Sequence, residues 1–171
     1  MRGCFMNIGG FEIEKKYLIA YPDESVLARC RCSEISQTYL KGEEGTTERV
    51  RRRADENGCV YTHTVKRKLS DMRRIENESE ISEEEYNELL RRRDEARRVI
   101  EKKRCVLDYK NQLFEIDLFP FWKDRAYMEI ELTDESDSIE LPPFVHIIKD
   151  VTADDRYNNS SLAIEIPMDE I

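Results

Sequence analysis

Apolar and polar positions alternate over short stretches through most of the chain, with turn-like segments between them. This is the two-residue period of half-buried strands, and the 3.6-residue period of helices is rare. The stretches cover residues 11–19, 35–41, 47–53, 60–68, 73–81, 99–107, 113–119 and 126–133. Eight such segments suit a mainly β (α+β) fold, an eight-stranded antiparallel sheet closed into a barrel. One helix stands out, because Ser82 is followed by Glu85 in a capping-box spacing and Tyr86, Leu89 and Leu90 supply an apolar stripe. It is expected to run to about Arg93, and a shorter helix is expected after Pro22, through Ala28. Pro142-Pro143 should end regular structure, leaving a tail from Asp150 onward that reads as loop with a brief helix or strand.

Strand alternation also sorts side chains onto faces. Glu12, Glu14 and Lys16 share one face, opposite Phe11, Ile13, Tyr17 and Ile19. Glu115 and Asp117 oppose Phe114, Ile116 and Leu118, while Glu129 and Glu131 oppose Met128, Ile130 and Leu132. Arg49, Arg51 and Arg53 fall together, as do Thr62, Thr64, Lys66 and Lys68; Arg74, Glu76 and Glu78 form a mixed row, and Lys102 and Arg104 pair. Solvated faces rarely segregate charge by sign in this way, since like charges two apart repel unless something of opposite charge lies between them. With these faces turned inward, the apolar faces would need cover from the helix after Ser82 and from flanking segments.

The 171 residues are 38% charged and carry a formal net charge of −9, which argues against a general nucleic-acid binder. No apolar run reaches the roughly 18 residues of a membrane helix and the N-terminus lacks a signal-peptide pattern, so a cytoplasmic protein without a membrane partner is expected. Five cysteines, Cys4, Cys30, Cys32, Cys59 and Cys105, are an odd number without framework spacing and read as reduced, packing thiols. His63 alternates out of phase with Thr64 and Lys66, and Trp122 reads as a packing residue.

The grouped carboxylates are hard oxygen donors suited to Mg²⁺ or Mn²⁺, and the grouped bases suit a polyanion. A Walker A sequence and a Gly-rich phosphate loop are both lacking, so any phosphate binding must come from side chains. The residues Glu12-Ile13-Glu14-Lys15-Lys16 match the ExExK signature of the CYTH superfamily, the triphosphate tunnel metalloenzymes. The resemblance continues in family order through Arg49-Val50-Arg51, Thr64-Val65-Lys66, Arg74-Ile75-Glu76-Asn77-Glu78, Lys102-Lys103-Arg104, Glu115-Ile116-Asp117 and Glu129-Ile130-Glu131. The tail, with Asp150-Val151-Thr152, Arg156-Tyr157-Asn158 and Ser161-Leu162-Ala163, resembles the compact bacterial inorganic tripolyphosphatase branch. Asp155 departs from that branch, where a lysine is expected, and would weaken substrate binding at the tunnel mouth or alter preference.

The resemblance implies one tunnel-barrel domain over residues 11–171 behind an extension of residues 1–10. It also implies metal-dependent hydrolysis of the terminal phosphoanhydride bond of a linear triphosphate, inorganic tripolyphosphate first. Glu12, Glu14, Glu115, Asp117, Glu129 and Glu131 would hold Mg²⁺ or Mn²⁺. Lys16, Arg49, Arg51, Lys66, Arg74, Lys102 and Arg104 would grip substrate, with Glu12, Glu14, Lys16, Glu76 and Glu78 in catalytic roles. Alternatives on the same tunnel are a thiamine or nucleoside triphosphatase, a class IV-type adenylate cyclase, or a non-catalytic polyphosphate-binding barrel. A monomer or homodimer is expected.

Overall fold

The structure, a computed structural model, describes residues 8–70 and 73–170, with residues 8–11 and 74 by backbone alone. Among the described residues, nine strands form one antiparallel sheet: β1 (Ile8–Ala20), β2 (Arg31–Leu40), β3 (Thr47–Asp55), β4 (Gly58–Lys68), β5 (Arg73–Ile81), β6 (Ile100–Tyr109), β7 (Gln112–Leu118), β8 (Arg125–Leu132) and β9 (Ile147–Asp150). Their order is β5-β4-β3-β2-β6-β7-β8-β1-β9, and β5 also pairs with β1. Strand β1 serves both neighbours in turn, meeting β5 through Ile8–Ile13 and β8 through Ile13–Ala20. Three short helices, α1 (Glu24–Leu27), α2 (Glu83–Leu89) and α3 (Asn159–Leu162), complete a mainly β fold. No helix among the described residues is long and apolar enough to cross a membrane.

The elements form for local reasons. The Ser82 hydroxyl accepts from the Glu85 amide while the Glu85 carboxylate accepts from the Ser82 amide, so α2 starts on a complete capping box. It stops at Leu89 and tightens into a 3₁₀ turn over Leu90–Arg92. The β6–β7 hairpin turns through Lys110 and Asn111, both at positive φ (50° and 61°), the conformation a two-residue hairpin with right-handed strand twist requires.

Four expectations change. Strand β1 begins at Ile8, ahead of residue 11, and residues 1–7 of the expected extension lie outside the described residues. Pro142-Pro143 does not end the regular structure: β9 follows and pairs Ile19, Leu18 and Tyr17 of β1 with Ile147, Lys149 and Asp150. Its four residues are too short to give an alternation signal. Cys32 and Cys105, read as reduced thiols, are joined as a disulfide. They stand directly opposite on β2 and β6 with Cα atoms 4.1 Å apart, a pairing that only strand register reveals. Cys30 and Cys59 are free, and Cys4 lies outside the described residues.

The fourth change concerns cover. The apolar face of β1, β6, β7 and β8, with Phe114, Ile116, Met128 and Ile130, packs against Val26 and Leu27 of α1 and against Ile139, Val145 and Ile147. Helix α2 covers a different patch, where Tyr86 meets Leu40 and Val50 with Tyr61 and Ile81 alongside. The hydrophobic core thus lies mostly on one face of the sheet, and charge occupies the other.

A third cluster breaks that rule at one end of the charged face. Leu18, Tyr39, Ile100, Phe119, Trp122, Tyr127, Val151, Tyr157, Leu162 and Ala163 pack together there, drawing the β9-to-α3 tail against the strand ends. Trp122 contacts Phe119, Tyr127 and Tyr157 with ring centroids 5.6, 5.0 and 6.4 Å away. Truncation of this fully enclosed indole, Trp122→Ala, should cost about 3–5 kcal/mol in urea unfolding at pH 7.

On the α2 side, Glu48 accepts from His63 Nε2 and Arg92 Nη2, both at 2.9 Å. Burial opposes ionisation of Glu48, but these hydrogen bonds outweigh it and hold the carboxyl below its usual range. The stabilisation is present above the unfolded-state value of about 4.3 and lost as pH falls through the lower folded-state value. Glu48→Gln should therefore cost about 1 kcal/mol near pH 6, discounted for the half-exposed arginine, with the gap to the parent closing in acid-titrated urea melts.

Candidate active site

Strand register places the charged side chains in rows that face one another. Lys16 lies opposite Glu129, Glu14 opposite Glu131 and Glu129 opposite Glu115. Arg104 lies opposite Asp117, Lys66 opposite Glu76 and Thr64 opposite Glu78. The deepest group is Asp117, whose side chain is fully buried. Lys102 Nζ donates to it at 2.6 Å, and Arg104 donates to both its oxygens at 2.7 Å. Burial favours the neutral acid, yet Arg104 and Lys102 overcome it and keep Asp117 ionised below the ordinary carboxylate range. Lys102 moves down in turn, through burial first and Arg104 second.

Around this core, Glu129 meets Lys16 at 2.9 Å and Arg104 at 3.2 Å, and these bases hold it ionised against its burial. Arg104 also pairs with Glu115. Lys66 bridges Glu12 at 3.0 Å and Glu76 at 2.5 Å, and Arg49 lies 3.8 Å from Glu76. Glu78 accepts from the Thr64 hydroxyl at 2.7 Å. Glu76 and Glu78 are both held below the usual range: each is opposed by burial, Glu76 being favoured by Glu12 and Lys66 and Glu78 by Arg51 and Thr64.

The carboxylates divide into two kinds. Asp117, Glu129, Glu76 and Glu78 are neutralised by bases. Glu12 and Glu131 are instead pushed up, Glu12 by burial in spite of Lys66, and Glu131 by burial and by Glu12, Glu115 and Glu14. A hard divalent cation beside Glu12 and Glu131 would favour their ionised forms. Among the described residues, no three acidic, histidine or cysteine side chains stand close enough to hold a metal ion. The structure therefore brings the expected ligands onto one face without gathering them into a cage, and it commits both oxygens of Asp117 to bases.

Of the other expected residues, the Arg74 side chain lies outside the described residues. Asp155 accepts from Lys68, which shares its strand face with Lys66, at 2.7 Å and from Asn158 at 3.0 Å. His63 lies on the α2 face with Glu48, as its phase implies.

Sequence reading missed Gln37, Ser33, Asn159 and Tyr157. Gln37 is fully enclosed, donates to the Tyr39 hydroxyl at 2.6 Å and accepts from Arg51 Nε and Nη2 at 3.4 and 3.2 Å. Ser33 accepts from Arg53 Nε at 3.1 Å. The Tyr157 carbonyl and the Asn159 amide oxygen accept from Lys16 and Lys102 at 3.4 and 3.5 Å. The two-residue alternation Ser33, Gln37, Tyr39 was the available signal for β2, masked by the apolar Ile35 between them. Among the described residues, the buried polar atoms on or beside these rows without a hydrogen-bond partner include Arg49 Nε, Thr62 Oγ1 and the Tyr127 hydroxyl.

No protein-family model matches the chain. It is 30% identical over 158 residues to the inorganic triphosphatase of Nitrosomonas europaea, which covers 91% of this chain and 99% of that protein. The crystal structure of the inorganic triphosphatase NE1496 matches it with a TM-score of 0.58 at 29% identity, over 91% of this chain and 96% of that one. The PH1819 protein of Pyrococcus horikoshii shares the fold, with a TM-score of 0.55 at 19% identity over 72% of this chain and 80% of that one. Ordered charge rows on the strands and near full-length similarity lead to one assignment: the chain belongs to the inorganic triphosphatase family, within the CYTH superfamily of triphosphate tunnel metalloenzymes.

Proposed function

We propose that this chain is a metal-dependent hydrolase of linear triphosphates, inorganic tripolyphosphate first, acting inside a closed eight-stranded barrel made by β1 to β8. The β1–β5 pairing supports the closure, since it joins the two strands that would otherwise end the eight-stranded run. The observation that carries the function is the gathering of bases and carboxylates on one face of the sheet, interleaved as ion pairs such as Lys66–Glu12 and Arg104–Glu115. Bases come from β3, β4 and β6 (Arg49, Arg51, Lys66, Lys102, Arg104), and the crowded carboxylates from β1, β7 and β8 (Glu12, Glu14, Glu115, Glu131).

In this reading Lys16, Arg49, Arg51, Lys66, Arg74, Lys102 and Arg104 grip the phosphate oxygens and stabilise charge as the terminal bridge breaks. Glu12, Glu14, Glu115, Asp117, Glu129 and Glu131 would hold Mg²⁺ or Mn²⁺. A cation held there would offset charge on the phosphoryl oxygens and leave the terminal phosphorus more electrophilic. Glu76 and Glu78 fix Lys66, Arg49 and Thr64 so that the donors are oriented before substrate arrives. Water adds to the terminal phosphorus, the bridging P–O bond breaks, and orthophosphate and pyrophosphate leave with release of a proton.

The aromatic cluster supports a blind pocket, entered from the end opposite Trp122 and Tyr157. A blind floor excludes water except where the chain of phosphates ends, which suits attack at a terminal group.

The test is phosphate release from tripolyphosphate, pyrophosphate, ATP and thiamine triphosphate with Mg²⁺ or Mn²⁺. Release from tripolyphosphate should be fastest, stop with chelator, and fall about 10²–10³-fold in Lys66→Ala and Glu14→Ala. Absence of release from all four substrates, with a folded protein, would overturn the hydrolase reading.

A further inference from the structure

The bases on the charged face differ in what neutralises them. Lys16, Arg49, Lys66, Lys102 and Arg104 each have a carboxylate within 4.0 Å. Among the described residues, Arg51 and Arg53 make no ion pair, and each is held by a neutral oxygen of β2. Gln37 Oε1 takes Arg51 through Nε and Nη2, and Ser33 Oγ takes Arg53 through Nε. A neutral acceptor fixes the plane of a guanidinium without cancelling its charge. Arg51 feels the consequence: burial, Arg49 and Arg104 bring it down to about 10, low for a guanidinium yet fully charged at neutral pH.

These arginines also form a track. Arg49, Arg51 and Arg53 lie two residues apart on one strand, at intervals of about 6.6 Å. Arg49 is buried, Arg51 half-buried and Arg53 exposed, so the row climbs from the enclosed floor to solvent. Thr62, directly across from Arg51 on β4, turns a buried hydroxyl without a partner toward the same row. Both terminal amino groups of Arg53 are without a hydrogen bond among the described residues.

We propose that Arg53, positioned by Ser33, is a specificity-determining residue that binds the outer phosphoryl group of the substrate and selects a chain whose outer end is a free terminal phosphate over one esterified to an organic group. This rests on the hydrolase reading above and deepens it. A terminal phosphoryl group carries up to about two negative charges at neutral pH, and esterification removes one of its ionisations and fills the space beside it. With the inner terminal phosphate at the floor, the outer end of tripolyphosphate is again a terminal phosphate, whereas in ATP it is the group that bears the nucleoside. An uncompensated guanidinium at that point therefore favours the inorganic chain by charge and by its fork geometry. Arg53 acts on substrate directly, and Ser33 acts only by aiming it.

The test compares Arg53→Gln, Ser33→Ala and the outward-facing control Arg52→Gln with the parent. Steady-state kinetics are measured on tripolyphosphate and ATP, and calorimetric titration of both anions is run into chelator-treated protein. Arg53→Gln should raise KM and the calorimetric Kd for tripolyphosphate about fivefold, as an exposed charge pair allows, with kcat little changed and ATP values moved less than twofold. Ser33→Ala should give a smaller shift of the same pattern, and Arg52→Gln none. Equal changes for both anions in Arg53→Gln, or no change for either, would overturn the proposal. Absence of turnover in the parent would strike the hydrolase reading alone, because calorimetry reads anion selection without turnover.

Discussion

A carboxylate with no access to water, Asp117, constrains the side chains around it. A buried charge of this kind costs several kcal/mol unless it is paired and fully hydrogen-bonded. Lys102 and Arg104 meet that requirement from β6, Arg104 directly opposite Asp117 and Lys102 two residues along, and β6 is thereby locked against β7. Those two bases are themselves buried, so they in turn need Glu129, Glu115 and the tail's Asn159. The network spreads outward from one charge until it reaches solvent, and it fixes the register of β6, β7 and β8 to the residue.

Charge inside requires apolar cover outside. Strands whose inner face is polar can be stable only if the other face is buried, and here Phe114, Ile116, Met128 and Ile130 pack under α1 and the segment around Val145. The aromatic cluster packs at one end of the charged side, and Lys16 lies 5.5 Å from the Tyr127 ring centre at the boundary between the two regimes. Helices are thus peripheral: α2 is held by its capping box and by the Glu48, His63 and Arg92 contacts, away from the charged rows.

Much of this was legible in the sequence because strand alternation maps one residue to one face. Phase alone assigned Glu12, Lys16, Lys66, Glu76, Arg104 and Glu129 to the charged faces of their own strands, and the structure pairs them in two groups, Glu12–Lys66–Glu76 and Lys16–Glu129–Arg104. Phase says nothing about which strands are neighbours, and that limit accounts for what was missed. The Cys32–Cys105 bond, the position of α2 and the pairing of β9 with β1 all depend on order in the sheet. Gln37 was missed for another reason. A neutral amide beside an arginine carries no charge pattern, and its meaning lies in the hydrogen bond it makes to Arg51 across the β2–β3 ladder.

The pairing of bases with carboxylates bears on how the two proposed ligands depend on each other. A polyanion reaching Lys66 or Arg104 must compete with Glu12, Glu76, Asp117 and Glu129, so binding the phosphates alone would set those carboxylates free in a poorly solvated space. A divalent cation arriving alone would face the reverse difficulty, with bases already holding its donors. Each ligand removes the cost that the other creates, because the cation takes the carboxylates that the phosphates displace. Affinity for either should then rise in the presence of the other by the same factor, as linkage demands of any two sites that share their neutralising groups. Arg51 and Arg53 escape this exchange, since their partners Gln37 and Ser33 have no charge to release. On this reading they are where a phosphate chain can gain its first contact before any ion pair inside has opened.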